Sequence, residues 1–248
     1  MELDALWLAV AIFLIALIYA SVGQAGASGY IAIMALLGFA PLAMKTTALA
    51  LNLLVAAIGT AMFLKAGRLS WRSVWPFAIL GFPFSLLGGA VQLPADIYYP
   101  VVGVVLVLSA AQMARTALRR SGVSADLPTD PPFIPALATG AIIGFISGTT
   151  GTGGGVFLAP VILAMNWGTA RQTAATTAVY NLMNSAAALL GAYAWWDQIP
   201  SALPAWLIAV AVGGSLGAFI GSRYLPELWL RIILAVILFA SGVRLLFG

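Results

Sequence analysis

The chain has 248 residues, of which 62% are hydrophobic and 7% charged, with a mean hydropathy of +1.06. A soluble domain is nearer 25% charged, and one core of this size could not hide so much apolar surface, so the composition excludes a soluble fold and predicts an all-α polytopic membrane protein. No cysteine or histidine is present and the net charge of +4 is scattered over loops, which excludes disulfides, thiolate or imidazole metal sites and His-based triads, and leaves no cofactor, metal or nucleic acid to expect.

In chain order, the first membrane-length apolar run covers about 4–22. Glu2 and Asp4 stand where a signal peptide would carry basic residues, so the run reads as a retained helix. A glycine-rich break, Gly23-Gln24-Ala25-Gly26-Ala27-Ser28-Gly29, precedes a short apolar run at 30–40. Membrane-length runs follow at 44–64, 73–92 and 98–115. Thr116–Pro132, with Arg119, Arg120, Asp126, Asp130 and three prolines, is a polar linker. The second half repeats the order: a run at 133–147, a break at Gly148-Thr149-Thr150-Gly151-Thr152-Gly153-Gly154-Gly155, a short run at 155–165, and longer runs at 172–195, 201–221 and 227–247. The expected organisation is a first transmembrane repeat over 1–115, the linker 116–132, and a second repeat over 133–248.

Ala5–Met44 and Pro131–Ala170 each hold 40 residues without one Asp, Glu, Lys or Arg, and each is closed by a basic residue, Lys45 or Arg171. One helix of that length would run roughly 60 Å, about twice the hydrocarbon thickness, so each stretch must turn back or break inside the membrane. Broken segments at corresponding places in two halves point to a transporter's binding site. Non-helical backbone survives there only when buried in protein or lining a polar cavity. A half-helix starting after such a break aims free N–H groups and its positive dipole end at mid-depth, where an anion can bind. Gly23, Gly26, Gly29, Gly151, Gly153 and Gly154 are the expected backbone positions, with Gln24, Ser28, Thr149, Thr150 and Thr152 shaping the pocket. Close helix packing is the competing role for these glycines.

A second constellation follows each break: Lys45, Thr46 and Thr47 lead to Asn52, and Arg171, Gln172 and Thr173 lead through Thr176 and Thr177 to Asn181 and Asn184. The asparagines lie within spans, where unpaired polar groups are costly. Asn52 and Asn181 are expected to orient the breaks, with interhelical bonding as the alternative role. Lys45 and Arg171 either reach the substrate or snorkel to the interface.

The halves resemble each other. Gly23, Gly26 and Gly29 match Gly148, Gly151 and Gly154 at an offset of 125, Lys45 matches Arg171 at 126, and Asn52 matches Asn181 at 129. With each broken stretch doubling back, the halves are inverted, and nine basic residues fall inside with two, Lys45 and Arg244, outside. A single crossing per stretch gives seven and four, so positive-inside favours inverted repeats. All seven acids, Glu2, Asp4, Asp96, Asp126, Asp130, Asp197 and Glu227, fall in loops or at span ends, which argues against a carboxylate proton relay or a cation pathway. Trp71, Trp75, Trp167, Trp195, Trp196, Trp206 and Trp229 fall near span ends, the placement of an interfacial belt.

Two repeats with a glycine-rich break, a short apolar run and a basic, threonine-rich segment resemble the TauE/SafE family of sulfite and organosulfonate exporters. The clearest stretch is Gly144–Pro160, GFISGTTGTGGGVFLAP, with Gly23–Gly29 as its weaker counterpart. The resemblance covers nearly the whole chain. It implies a multi-pass transporter of small sulfur-containing anions, such as sulfite, sulfoacetate or related sulfonates, in a bacterial inner membrane, with substrate and direction varying among members. The expected reading is export by alternating access around a mid-depth site, not an enzyme. A passive anion channel and a non-transporting membrane assembly subunit are the alternatives. The expected partners are a small anionic substrate and the lipid bilayer, with a homodimer left open.

Overall fold

The computed structural model describes residues 2–21, 24–67, 69–118, 129–221 and 227–247. These form ten α-helices: α1 Glu2–Ser21, α2 Ala27–Leu36, α3 Pro41–Lys65, α4 Trp71–Ala90, α5 Ala95–Leu118, α6 Phe133–Thr150, α7 Gly155–Ala164, α8 Ala170–Gly191, α9 Leu203–Gly221 and α10 Glu227–Phe247. A 3₁₀ turn, Tyr193–Gln198, ends the apolar run that begins with α8. Among the described residues, four segments are long and apolar enough to cross a membrane: Pro41–Lys65, Trp71–Ala90, Ala95–Gln112 and Phe133–Thr150.

The distribution of side chains reverses that of a soluble protein. Ile134, Ile142, Leu108 and Ile208 are exposed, whereas Ser85, Ser147, Asn52, Asn184 and Ser185 are buried. In lipid this is the favourable arrangement, because polar groups find partners only inside the protein.

The packing follows from small residues. Helix α4 lies on α6, α1 on α9, α5 on α10 and α3 on α8. On α6, Gly140, Gly144 and Gly148 recur every fourth residue and sit against the backbone carbonyls of Phe77, Gly81 and Ser85 on α4. Gly213 and Gly217 of α9 sit likewise against Phe13 and Leu17 of α1. A β-carbon at any of these positions would enter the facing carbonyl, so glycine sets the approach of the two helices. The glycine string of the second half therefore has two jobs. Gly144 and Gly148 belong to a helix–helix seam, and only Gly151, Gly153 and Gly154 have the positive φ of a chain break.

The two short helices are built alike. Each starts after a left-handed glycine, Gly26 (φ 97°) for α2 and Gly154 (φ 82°) for α7. Each ends in a left-handed residue, Gly38 (φ 74°) or Asn166 (φ 54°). The amide of the next residue then reaches back to the helix, from Phe39 N to Met34 O at 3.1 Å and from Trp167 N to Ile162 O at 2.9 Å. This is the Schellman closure. Cap to cap, the structural register pairs Gly26 with Gly154 and Phe39 with Trp167, an offset of 128. It corrects the offset of 125 expected from the glycine spacing. It also separates Lys45 from Arg171, since the offset of 129 between Asn52 and Asn181 places Ala174 opposite Lys45.

Two of the belt tryptophans are not at a lipid interface. Trp167 is 9% and Trp206 2% exposed, in contact with Phe77 and Phe39 respectively. Trp71, Trp75 and Trp196 are exposed.

Candidate functional site

The N-terminus of each short helix meets the middle of the long helix that follows it. Asn52 lies near the middle of the 25-residue α3, and its Oδ1 accepts from Ala27 N, the first amide of α2, at 3.1 Å. Asn181 lies near the middle of the 22-residue α8, and its Oδ1 accepts from Gly155 N, the first amide of α7, at 2.7 Å. Asparagine thus does from a neighbouring helix what an N-cap side chain does locally, which neither glycine cap can do. The two asparagines converge. A β-carbon on Gly153 would lie 3.1 Å from Asn52 Cγ and 3.2 Å from Asn181 Oδ1. Asn52 Nδ2 also donates to Ser185 Oγ on α8 at 2.8 Å, tying α3 to α8 at the same depth.

A further polar group surrounds Gly154. Asn184 Nδ2 donates to Ser147 Oγ at 3.2 Å, and Ser85 Oγ donates to Asn184 O at 2.9 Å. The Asn184 Oδ1 atom is buried without a hydrogen-bond partner. The first half has no such addition: Val55 and Ala56 stand opposite Asn184 and Ser185 in the same register. The polar centre is therefore weighted toward α7 and α8.

The remaining predicted residues take other positions. Gly23 and the Arg171 side chain lie outside the described residues. Gly26 caps α2, Ser28 Oγ pairs with Tyr19 Oη at 3.0 Å, and Gly29 lies inside α2 against Ile15 and Tyr19. Gln24 N donates to Tyr19 O at 2.9 Å. Thr46, Thr149 and Thr150 each donate their hydroxyls one turn back along their own helix, to Leu42, Phe145 and Ile146. Thr150 Oγ1 also pairs with Thr152 Oγ1 at 3.0 Å. Thr176 is buried on α8, five positions before Asn181, in a separate pocket.

Lys45 neither snorkels nor points a free donor at the break. It is 2% exposed, and its Nζ donates to Gly88 O at 3.1 Å, Gly89 O at 2.8 Å and Val91 O at 2.8 Å. An ammonium has three protons, and all three are used on carbonyls at the C-terminal end of α4, where Gly88 O also accepts from Val91 N at 3.2 Å. A cation there also faces the negative end of the helix dipole.

The whole chain can be set beside known proteins. It matches the family described as Sulfite exporter TauE/SafE over residues 8–245. It is 68% identical over 246 residues to a Sinorhizobium fredii (strain NBRC 101917 / NGR234) protein named "Probable membrane transporter protein y4hK", covering 99% of this chain and 100% of that one. The chain belongs to the TauE/SafE family. No solved structure matches it. This TauE/SafE chain is a multi-pass membrane protein of a transporter family.

Ser85, Ser147 and Ser185 of this TauE/SafE chain are central to the polar cluster, yet their sequence context gave no signal. Serine is common in apolar helices, and only the packing of α4, α6 and α8 brings the three around one point. The strut from Asn52 is open to a direct test. Replacing Asn52 by leucine leaves Ala27 N–H unpaired in a buried setting, which costs about 1–3 kcal/mol. The expected result for Asn52→Leu is a melting midpoint lower by roughly 4–8 °C in detergent; an unchanged midpoint would show that Asn52 does not hold α2.

Proposed function

We propose that this chain carries small sulfur-containing anions, such as sulfite, sulfoacetate or related organosulfonates, across a bacterial inner membrane, in the direction of export. The observation that carries the reading is that the starts of α2 and α7, each after a left-handed glycine, converge on Asn52 and Asn181 near the middles of α3 and α8. Helix N-termini favour negative charge. No Asp or Glu lies in the central part of any described helix, since Asp96 and Asp197 sit at element ends. The family description, sulfite exporter, supports the substrate class.

The proposed site is the backbone at Gly26–Gly29 and Gly151–Gly155 with Gln24, Ser28, Thr152, Asn52 and Asn181. Lys45 contributes charge and holds α4. In this reading residues 1–115 and 133–248 are inverted repeats joined by 116–132. Supporting it, the first helix of each half packs on the fourth helix of the other, while α3 meets α8 and α5 meets α10. Rocking one half against the other then exposes the centre alternately to the two sides.

The test is a thermal-shift screen of purified protein against sulfite, thiosulfate, sulfoacetate, taurine, sulfate and phosphate. A bound anion at about 100 times its Kd adds roughly 2.7 kcal/mol of stability. The expected result is stabilisation by one sulfur oxyanion, abolished in Gly154→Leu. Well-folded protein that responds to none of them would overturn the substrate class.

A further inference from the structure

We propose that the pocket between the N-terminal ends of α4 and α8 is the access vestibule of the mid-depth centre, and that Phe77 and Trp167 form its inner gate. The inference rests on the carrier reading given above and names the route by which one side of the membrane reaches the site.

The pocket is a small recess of about 10 Å³, room for about one water in this closed state, and is lined by Ser73, Phe77, Trp167, Gln172, Thr173 and Thr176 among others. Four of these are polar and come from the first turn of α4 and the first two turns of α8. The other two are in contact, with ring centroids 6.0 Å apart at 41°.

From this pocket one helix face leads inward. On α4 the residues one turn apart are Ser73, Phe77, Gly81 and Ser85, and on α8 they are Thr173, Thr176, Tyr180 and Asn184. The two rows meet level by level. Ser73 and Thr173 line the pocket. Phe77 lies in one buried cluster with Trp167 and Tyr180. A β-carbon on Gly81 would lie 2.7 Å from the Tyr180 ring. Ser85 Oγ donates to Asn184 O. The distance from Ser73 to Ser85 along the helix is about 18 Å. At the inner end, Gly154 at the start of α7 lies against Tyr180, Asn184 and Ser147. Pocket and centre are thus joined along the α4–α8 seam, with aromatic rings standing between them.

The gate stands at the far end of the half-helix that starts at the site. Trp167 follows the left-handed cap of α7, so it rides on the tip of that half-helix. Phe39 holds the same place on α2 and contacts Trp206 of α9 at 6.3 Å. Each tip is therefore closed by an aromatic contact to a helix from the other half of the chain. On α3, Leu51 and Val55 stand where α8 has Tyr180 and Asn184, so the polar route belongs to the α7 side.

The absence of cysteine makes the protein a ready background for thiol accessibility. Thr176→Cys reports on the vestibule and Tyr180→Cys on the position just inside the gate. Full-length protein in proteoliposomes is treated with a membrane-impermeant methanethiosulfonate reagent. Thr176→Cys should react at least tenfold faster than Tyr180→Cys. Adding Phe77→Ala should raise the Tyr180→Cys rate at least tenfold and leave Thr176→Cys within twofold. Equal rates at the two positions, or a Tyr180→Cys rate unmoved by Phe77→Ala, overturn the gate. Gel filtration checks folding; should Tyr180→Cys fail it, Ser85→Cys one turn deeper is the reporter and should gain at least threefold. The readout needs no anion. Anion flux with an unresponsive reporter overturns the gate alone. A responsive reporter, with wild-type protein that moves none of the anions named above, overturns the carrier reading and leaves the route standing.

Discussion

Lys45→Met should be among the most damaging single substitutions in this protein, and the damage should be to folding before transport. Methionine fills much of the space of the lysine stem but donates nothing. Gly88, Gly89 and Val91 would then keep three carbonyls with no partner from Lys45. Gly88 O keeps the Val91 amide at 3.2 Å, so the loss falls on Gly89 O and Val91 O; leaving a buried acceptor unpaired costs about 1–3 kcal/mol, and the two together give a loss of several kcal/mol. With 2–4 °C per kcal/mol for a chain of this size, the melting midpoint should fall by roughly 10 °C. Midpoints of the two proteins in the same detergent provide the check. A Lys45→Met protein with wild-type stability and weakened anion binding would show instead that the ammonium serves the substrate directly.

Gly154→Leu should abolish transport while the protein still inserts and runs as a single species. The position has φ 82°, and a β-carbon there would lie 2.8 Å from Asn184 Nδ2, 3.0 Å from Tyr180 Cε1 and 3.1 Å from Ser147 Oγ. A left-handed conformation costs a side-chain-bearing residue roughly 1–2 kcal/mol. The larger effect is displacement: leucine must push apart the asparagine, tyrosine and serine that form the polar centre. Anion flux into proteoliposomes should drop at least 100-fold, roughly 2.7 kcal/mol in a barrier. Gly38→Ala is the matched control. Its φ of 74° carries the same backbone strain, but nothing lies within 4 Å of the new carbon, so flux should persist. Wild-type flux in Gly154→Leu would remove the α7 terminus from the transport path.

The glycine string of the second half shows where sequence reasoning slipped and why. Gly148, Gly151 and Gly154 are three apart, as are Gly23, Gly26 and Gly29, so the two strings fit at registers that differ by one step of that spacing. Identity cannot choose between them. Backbone conformation can, because Gly148 is helical and Gly154 is left-handed. A similar limit applied to Trp167 and Trp206. Tryptophan near the end of an apolar run reads as an interfacial residue, and only the contacts to Phe77 and Phe39 place these two inside the protein. Lys45 was legible as a lone cation beside an apolar stretch, but its target lies more than 40 residues away on another helix.

Properties that depend on local pattern were legible before any contact was known. The apolar runs, their lengths, the two interruptions and the half-length helices after them follow from hydropathy, glycine and the lack of charge. Asn52 and Asn181 could be singled out because an amide inside an apolar helix needs a partner. The tertiary structure alone decided who those partners are. Ala27 and Gly155 receive the asparagines, α4 receives Lys45, and Ser85, Ser147 and Asn184 gather around Gly154. The physical reason is that hydropathy selects a depth in the membrane for each residue but not a direction around the helix axis. Direction is fixed by close packing on glycine seams, and that packing exists only when helices distant in sequence have met.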